Sequence, residues 1–458
     1  MTKLLFDEFN KTSPAAWKNK IQVDLKGADY NDSLLWKTKE GIVIKPFYTS
    51  EDRCNIEIKL PKNGFNICQT IFVDDEKIAN SLALDALKNG ANSIQFVAKK
   101  KFNYKILLAK INFSSTFLYF KFYFLNSDFK IDLFNFINSE KTFFQTDIIG
   151  NLAESGNWYK NLKEDFKKVD LIQNKITNCI SISGDLYQNS GATNTQQLAY
   201  TLAHANEYLN KFGNNIANKI HFSFSIGSNY FFEIAKLRAF RILWSLLLKE
   251  YNVKDTEAHL FVQPSLRNKT LYDYNVNMLR TTSESMSAIL GGANTISNIS
   301  FDHIFNKSNE FGERISRNQL LILQNESYLK EAQNFANGSY YIEYLTQQIA
   351  ENALDLFKQI EKNGGFLKQL KEGIIQKKIK ESAKKEEKEF IENEIVLIGT
   401  NYQKNISDNM QHNLKLYPFI KQRNIKTLIP PLTRYRLSES SEKIRLETEK
   451  SINPKNYG

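Results

Sequence analysis

Three short apolar runs constrain the fold of this chain most strongly, because each of them precedes a segment with helical periodicity. The runs cover residues 178–184, 221–227 and 258–263, and in the first two Ile or Phe alternates with Ser before a Gly. Alternation at a period of two places the Ser side chains on one face of a strand and the apolar side chains on the other. Strands that alternate with helices predict βα units and a parallel sheet.

Small polar side chains on one face of these strands are unusual, because helices normally cover both faces of a parallel strand and make both apolar. Ser181 and Ser183 share this face in the first run, and the second run repeats the pattern. If this face lines a closed barrel, such small side chains leave its axis open rather than filled. The residues therefore predict a (βα)-type barrel with a polar interior. They leave undecided whether Phe side chains such as Phe222 and Phe224 plug it.

The size of the chain, 458 residues, allows two to three domains or one large barrel with extensions. No apolar run approaches the roughly 20 residues that cross a bilayer, and the acidic N-terminus shows no cleavable apolar region. The three cysteines lack CxxC spacing, so they predict neither a disulfide framework nor a zinc site. We expect a cytoplasmic protein with reduced thiols and no membrane partner.

The net charge of +11 does not by itself indicate a nucleic-acid partner. The lysines are scattered, and no Arg-rich cluster is interleaved with stacking aromatics, so a solvated Lys-rich surface is favoured over RNA or DNA binding. The five histidines show no metal-ligand spacing, and GxGxxG, GxxxxGK[ST], HExxH and GxSxG are absent. The residues alone therefore predict a barrel with no metal site and no visible catalytic machinery.

The patterning divides the chain into three parts. Residues 1–40 are predicted to form an N-terminal arm, residues 41–365 the barrel, and residues 366–458 a C-terminal extension. The extension begins with a Lys- and Glu-rich helix whose thin apolar stripe is typical of a solvent-exposed helix. Its last part, residues 406–458, is rich in Asn, Ser and Lys and is predicted to be an extended tail.

Several barrel segments, in the same order along the chain, resemble the methylmalonyl-CoA mutase family. The matches, given with the family's own pattern, are residues 181–192 (SISGYHMQEAGA), 226–244 (IGMNYFMEIAKMRAARLLW), 277–282 (NNVVRTT), 290–292 (LGG), 315–318 (IARNTQ) and 338–343 (GGSYYVE). Weaker similarity extends to about residue 405.

This resemblance implies a specific α/β fold, a (β/α)8 barrel of TIM type whose axis holds the CoA tail and which precedes a cobalamin domain. The family's chemistry is a radical rearrangement that adenosylcobalamin initiates. The Ser-lined strands would then surround a threaded pantetheine. Lys219 stands where the family has a phosphate-contacting Arg. The substrate-binding candidates that the resemblance implies are Ser181, Ser183, Gln188, Lys219, Lys254 and Gln263.

The departures from the family pattern indicate lost chemistry. Leu186 stands at the position of the family's catalytic His, and Leu has no donor for a thioester oxygen. The family's radical-guiding Tyr falls on Asp52. No DxHxxG cobalamin motif is present, and we expect the chain to end before a cobalamin domain could begin. No catalytic residue is therefore predicted, and adenosylcobalamin is expected on a partner subunit rather than on this chain.

The resemblance is thus strongest to the small, non-catalytic subunit of a heterodimeric mutase that interconverts methylmalonyl-CoA and succinyl-CoA. The partner would be the large catalytic subunit, and the arm of residues 1–40 would pack on it. One alternative is an active acyl-CoA mutase barrel that uses a separate cobalamin-binding chain, although Leu186 and Asp52 argue against it. Another is a sensor that binds a CoA ester or a phosphorylated ligand in its polar axis.

Overall fold

The computed structural model describes residues 8–10, 12–53, 57–62, 64–254, 256–331, 334–421 and 425–452. Predictions that concern residues 1–7, Cys54 and residues 453–458 lie outside these ranges. The thiols of Cys68 and Cys179 are free and buried. Among the helices that the structure describes, none combines the length and the apolar character that crossing a bilayer requires.

Ten strands are present in the described ranges, and eight of them form the barrel. The first two make a separate antiparallel pair, β1 (Trp36–Lys37) and β2 (Val43–Ile44). The barrel strands are β3 (Asn66–Phe72), β4 (Ser93–Ala98), β5 (Phe117–Phe122), β6 (Thr142–Phe144), β7 (Ile180–Ser183), β8 (Ile220–Ile226), β9 (Leu260–Pro264) and β10 (Thr295–Ile296).

The eight strands are parallel and lie in the order β6-β5-β4-β3-β10-β9-β8-β7. A parallel bridge between Thr146 and Ile180 joins the two end strands, and the Ser181 N–H donates to the Thr146 carbonyl at 3.0 Å. Closure of the sheet removes both of its edges. The predicted TIM-type α/β barrel is therefore confirmed.

Helices surround the barrel and cover its outer face. Two short 3-10 helices, Ser50–Asp52 and Asn214–Lys219, accompany them. The α-helices up to the end of the barrel are α1 (Pro14–Asp24), α2 (Tyr30–Leu34), α3 (Glu76–Lys88), α4 (Tyr104–Leu107), α5 (Ser127–Ile137), α6 (Ile148–Ser155), α7 (Leu162–Gln173), α8 (Gly184–Asn189), α9 (Asn194–Phe212), α10 (Tyr230–Glu250), α11 (Val276–Leu290), α12 (Glu310–Asn325) and α13 (Tyr340–Lys362).

The main hydrophobic core lies between the strands and these helices, not on the barrel axis. Phe222 of β8 packs against Trp244 of α10 with ring centroids 4.9 Å apart, and Phe224 packs against Phe240 at 4.8 Å. Because neighbouring residues of a strand face opposite sides, Ser223 and its alternate partners face the axis instead. The two Phe side chains that could have plugged the barrel therefore do not.

The C-terminal extension differs from the prediction. It contains α14 (Phe366–Lys371), α15 (Ile374–Ile391) and α16 (Glu439–Ile452). The predicted charged helix is thus interrupted at Gly373, which has a φ of +76°. The prediction of an extended tail is wrong for α16, whose Glu-, Lys- and Arg-rich sequence has good intrinsic helix propensity and whose Glu442 carboxylate accepts the buried Leu271 N–H.

Residues 425–438, here called the crossing segment, run without regular structure across the elements that follow three barrel strands. Backbone N–H groups of Leu432, Tyr435 and Leu437 donate to carbonyls in α6, in α8 and after β9 at 2.7–3.1 Å. The guanidinium of Arg434 donates to Glu154 and to Asp185, each at 2.7 Å. The crossing segment therefore covers part of the carboxyl end of the barrel, where the sites of such folds lie.

Candidate functional site in the barrel interior

An aromatic cluster fills the amino-terminal half of the barrel interior. The rings of Tyr119 and Phe143 stack with centroids 4.8 Å apart, and Phe261 lies 4.8 Å from Tyr119. Phe143 also stacks on His259 at 4.3 Å and meets His221 edge-on at 5.3 Å. We call these five residues the aromatic plug.

The aromatic plug crosses the axis. The Tyr119 hydroxyl of β5 hydrogen-bonds the Nε2 of His259, just before β9, at 2.8 Å. Strands β5 and β9 are four positions apart in an eight-stranded barrel, so they face each other across it. The same hydroxyl lies 2.7 Å from the Thr295 Oγ1. A hydrogen bond between opposite walls leaves no room for a chain to pass along the axis at this level.

Both histidines of the plug are neutral at physiological pH. Burial, followed by the neighbouring His259, lowers the pKa of His221 well below its usual value. Burial and then the charge of Arg241 lower the pKa of His259 to about 3. Burial likewise raises the pKa of the Tyr119 hydroxyl. Three groups that carry acid–base chemistry in other proteins are thus fixed here in their uncharged forms.

A layer of hydrogen-bonded polar side chains lies above the plug. On one side, the Oγ atoms of Ser181 and Ser223 are 3.0 Å apart, and the Gln145 amide donates to Ser223 at 3.3 Å. Gln145 in turn accepts from the Gln95 amide at 2.6 Å. On the other side, the Thr70 hydroxyl contacts Gln95 at 2.7 Å and the Ser297 hydroxyl at 2.8 Å. The side chains of this layer are hydrogen-bonded to one another, so the predicted polar interior contributes to the stability of the barrel.

The carboxyl end of the interior remains open to solvent. Phe72 at the end of β3 and Tyr123 just after β5 expose 53% and 54% of their surface. Both share the inward-facing parity of their strands. Ser183 and Gln263 are partly exposed at the same end. The interior is therefore a shallow cup that opens at the carboxyl end and is closed below by the plug.

Four of the six substrate-binding candidates lie near this cup. Ser181 is committed to the polar layer. The Asp147 carboxylate accepts the Ser183 N–H at 3.0 Å and a hydrogen bond from the Ser183 side chain. Gln263 faces the interior, and its side chain has no hydrogen-bond partner among the described residues. Gln188 on α8 is buried, and its Oε1 accepts from the Ser265 hydroxyl at 2.7 Å. Gln188 thus links α8 to the segment after β9, and no contact between Gln188 and the barrel interior is seen among the described residues.

The other two candidates lie at the opposite end of the barrel. Lys219 directly precedes β8, and its Nζ donates to the Gln173 carbonyl at the end of α7. Lys254 is exposed in the connection that leads to β9. Since the aromatic plug separates this end from the cup, no single ligand threaded along the axis could contact Lys219 and Gln263 together.

Leu186 and Asp52, which stand at the positions of the family's catalytic His and Tyr, cannot take over the roles of those residues. Leu186 on α8 is fully buried in the core outside the strands. Asp52 ends a short 3-10 helix; burial acts against its ionisation, yet hydrogen bonds from Lys45 and from the Thr49 N–H lower its pKa. The carboxylate of Asp52 is thus used locally, and among described residues its contacts are with its own segment.

Alternation along β5 carried a signal for Tyr119 and Lys121, although neither was among the candidates predicted from the sequence. In β5, Leu118, Phe120 and their alternates belong to the outer core, so the residues between them must face inward. Within the described ranges, no group of three or more His, Cys, Asp or Glu side chains could hold a metal ion.

Comparisons with known proteins agree with this architecture. The family model for methylmalonyl-CoA mutase matches residues 137–447. The methylmalonyl-CoA mutase small subunit of Porphyromonas gingivalis is 31% identical and aligns with 98% of this chain and 78% of its own length.

Mutases of other kinds match a smaller part of the chain. The methylmalonyl-CoA mutase of Rhizobium meliloti is 37% identical over 49% of this chain and 33% of its own length. The large subunit of the P. gingivalis mutase is 32% identical over 49% of this chain and 33% of its own length. This chain therefore spans most of the small-subunit relative but about a third of these two. By the family model and the full-length relative, the chain belongs to the methylmalonyl-CoA mutase family.

Proposed function

We propose that this chain is the small, non-catalytic subunit of a heterodimeric methylmalonyl-CoA mutase. In this role it supports a large subunit that interconverts methylmalonyl-CoA and succinyl-CoA. One observation carries the proposal: the hydrogen bond between Tyr119 and His259 crosses the axis where a mutase barrel would admit the CoA tail. A relative of this chain is named as a small subunit, and a large subunit occurs in the same organism.

The electrostatics of the interior support the same proposal. Rearrangement of a thioester needs a donor aimed at its carbonyl oxygen, because charge develops there during the reaction. Leu186 offers none, and burial keeps both histidines of the plug uncharged. The remaining polar groups of the interior are mostly paired with one another.

The residues of this chain do not fit adenosylcobalamin, the cofactor that the family implies. None of the five histidines stands in a DxHxxG motif. We therefore assign the cofactor to the large subunit. The free thiols of Cys68 and Cys179 favour a reducing compartment, so a cytoplasmic location belongs to the same proposal.

The arm of residues 1–40 is the proposed contact with the large subunit. Helix α1 buries none of its residues against this chain, although it contains Trp17 and Val23, which are both exposed. Exposed large apolar side chains on a helix that buries no residue in its own chain support the proposal that a partner covers it.

Co-expression tests the proposal directly. The tagged chain is produced with and without a large mutase subunit from the same genome, and each preparation is assayed for co-purification and for turnover with adenosylcobalamin. We expect a stable complex, turnover by the complex, and none by the tagged chain alone. Turnover by this chain, alone or with a separate cobalamin-binding chain, would overturn the proposal. Tight binding of CoA esters in calorimetry would instead favour a sensor.

A further inference from the structure

Three polar side chains are buried together between the loop that follows β9 and helix α11. Asn268 and Lys269 lie in the loop, and Glu284 lies on α11. They expose only 7%, 2% and 2% of their surface. Lysine, glutamate and asparagine are rarely buried to this extent unless they bond to one another, and we call these three residues the buried triad.

One carboxylate oxygen of the buried triad contacts both nitrogens. The Oε1 of Glu284 accepts from the Lys269 Nζ at 2.8 Å and from the Asn268 Nδ2 at 2.6 Å. The Lys269 Nζ also donates to the Asn268 Oδ1 at 2.7 Å. Since a carbonyl bond is about 1.2 Å long, this Nζ lies no farther than about 3.9 Å from the Asn268 Cγ. The amine is therefore held beside the carbon of an amide, close to the separation from which groups react.

Burial favours the uncharged forms of the amine and the acid. It lowers the pKa of Lys269 and raises the pKa of Glu284, although each partner opposes the change in the other. Transfer of one proton from Nζ to the carboxylate gives a neutral amine and a neutral carboxylic acid, which a site without water accommodates better than two charges. A desolvated neutral lysine is a nucleophile.

We propose that the side chains of Asn268 and Lys269 join in an isopeptide bond, with Glu284 as the acid–base catalyst. The Nζ–Cγ bond forms, the Cγ–Nδ2 bond breaks, and ammonia leaves. The Oε1 of Glu284 gives one proton to Nδ2 and takes one from Nζ, so the carboxyl group is regenerated. The reaction needs no oxidant and no further reactant, because the amine and the amide both belong to this chain.

The cross-link constrains the loop to which the C-terminal extension is attached. The Lys269 carbonyl accepts from the Arg436 guanidinium of the crossing segment at 3.1 Å. The Leu271 N–H donates to Glu442 of α16 at 2.8 Å. A covalent ring at Asn268 and Lys269 thus stiffens the loop that supports both the crossing segment and α16. This proposal does not depend on the proposed subunit role, because it concerns the chain alone.

Mass spectrometry of the purified full chain after prolonged incubation tests the cross-link. We expect an intact mass below that of the sequence by about 17 Da, the mass of one ammonia. Trypsin does not cleave after an acylated lysine, so a peptide should run uncut from Asn268 to Arg280. The exposed neighbours Asn210 and Lys211 are the internal control in the same digest, since Asn210 bonds the Tyr251 hydroxyl instead, and cleavage after Lys211 should be complete.

Variants separate the roles within the buried triad. Lys269→Met removes the nucleophile, and Glu284→Gln removes the acid–base group at nearly constant size, so both should keep the full mass of their sequences. Glu381→Gln, at an exposed carboxylate of α15, is the matched control and should lose ammonia as wild type does. Thermal melting shows whether each variant is folded, and if one is not, the wild-type mass and digest alone decide the proposal.

Three results would overturn the proposal. The first is a wild-type chain of full mass that trypsin cleaves after Lys269. The second is a loss of ammonia with cleavage after Lys269, which would indicate a succinimide at Asn268 instead. The third is an unchanged loss of ammonia in Glu284→Gln, which would remove the catalyst. Because each readout is a mass of the free chain, failure of the cross-link and failure to bind a large subunit are separate results.

Discussion

At the scale of single residues, the Tyr119 hydroxyl stabilises the aromatic plug through its bonds to His259 and Thr295. Tyr119→Phe removes both bonds and leaves two largely buried polar groups without this partner. We expect the free energy of unfolding to fall by about 1–3 kcal/mol, which is the usual cost of such groups. Urea unfolding measures the change, and Tyr328→Phe, at an exposed tyrosine, should change nothing. An unaltered midpoint for Tyr119→Phe would mean that water replaces the bonds.

A second residue, the buried Lys130, lowers the free energy of unfolding when it is protonated. Lys130 on α5 is buried beneath Phe122, its Nζ bonds the Thr146 hydroxyl at 2.6 Å, and burial lowers its pKa to about 7. The unfolded chain holds this proton up to a pKa of about 10.4, so between pH 7 and that value it binds more protons than the folded chain. Stability should therefore rise with pH through this window.

Lys130→Met tests this directly. The variant should be more stable than wild type by about 1–3 kcal/mol at pH 6, because it no longer carries a buried unpaired charge. Its advantage should shrink as pH rises from 7 through about 10.4, since wild-type Lys130 is neutral in both states only above that pH. Lys163→Met, at an exposed lysine of α7, serves as the comparison. A constant difference at all pH values would assign the effect to packing rather than to charge.

At the scale of elements, the alternation of residue types already determined which strand face points to the axis, including for the Phe residues whose position the sequence analysis left undecided. Alternation of Ser with Ile or Phe placed Ser181 and its alternates on the axis and, by the same rule, Phe222 on the outside. The aromatic plug was less predictable, because it depends on which residues of distant strands meet. Phe143 lies in β6, a three-residue strand too short for a period to show. Helix α16 was missed because its apolar stripe is weak.

The crossing segment is the element whose attachment is most testable. Arg434 bridges Glu154 after β6 and Asp185 after β7. Arg434→Met should speed hydrogen exchange in residues 425–438 and lower the free energy of unfolding by about 1–2 kcal/mol, since a forked ion pair is lost. Arg434→Lys should be intermediate, and Lys450→Met should match wild type. If exchange in this segment does not change, the backbone bonds to α6 and α8 are sufficient to hold it.

At the scale of the whole molecule, the fold and the family followed from the sequence, whereas the state of the interior did not. The candidates Ser183 and Gln263 lie in one cup, but Lys219 and Lys254 lie beyond the aromatic plug. Motif spacing carries no information on whether two ends of a barrel communicate. That depends on side chains from opposite walls, which are over a hundred residues apart in the chain.

The N-terminal arm links the folded chain to its proposed role. Removing residues 1–27 takes away α1, none of whose residues is buried, and keeps Asp29, which caps α2. The melting temperature should fall by no more than about 2 °C, because surface segments contribute little to a chain of this size. Co-purification with the large subunit should nevertheless be lost.

A double substitution, Trp17→Ser with Val23→Ser, separates the apolar contact from the length of the arm. It should weaken the complex at least about tenfold while the free chain melts as wild type, because both side chains are exposed in the free chain and would be desolvated in the complex. Lys20→Ser on the same helix is the matched control. If the truncated chain still binds the large subunit with full affinity, the interface lies elsewhere, and the exposed apolar residues of α1 need another explanation.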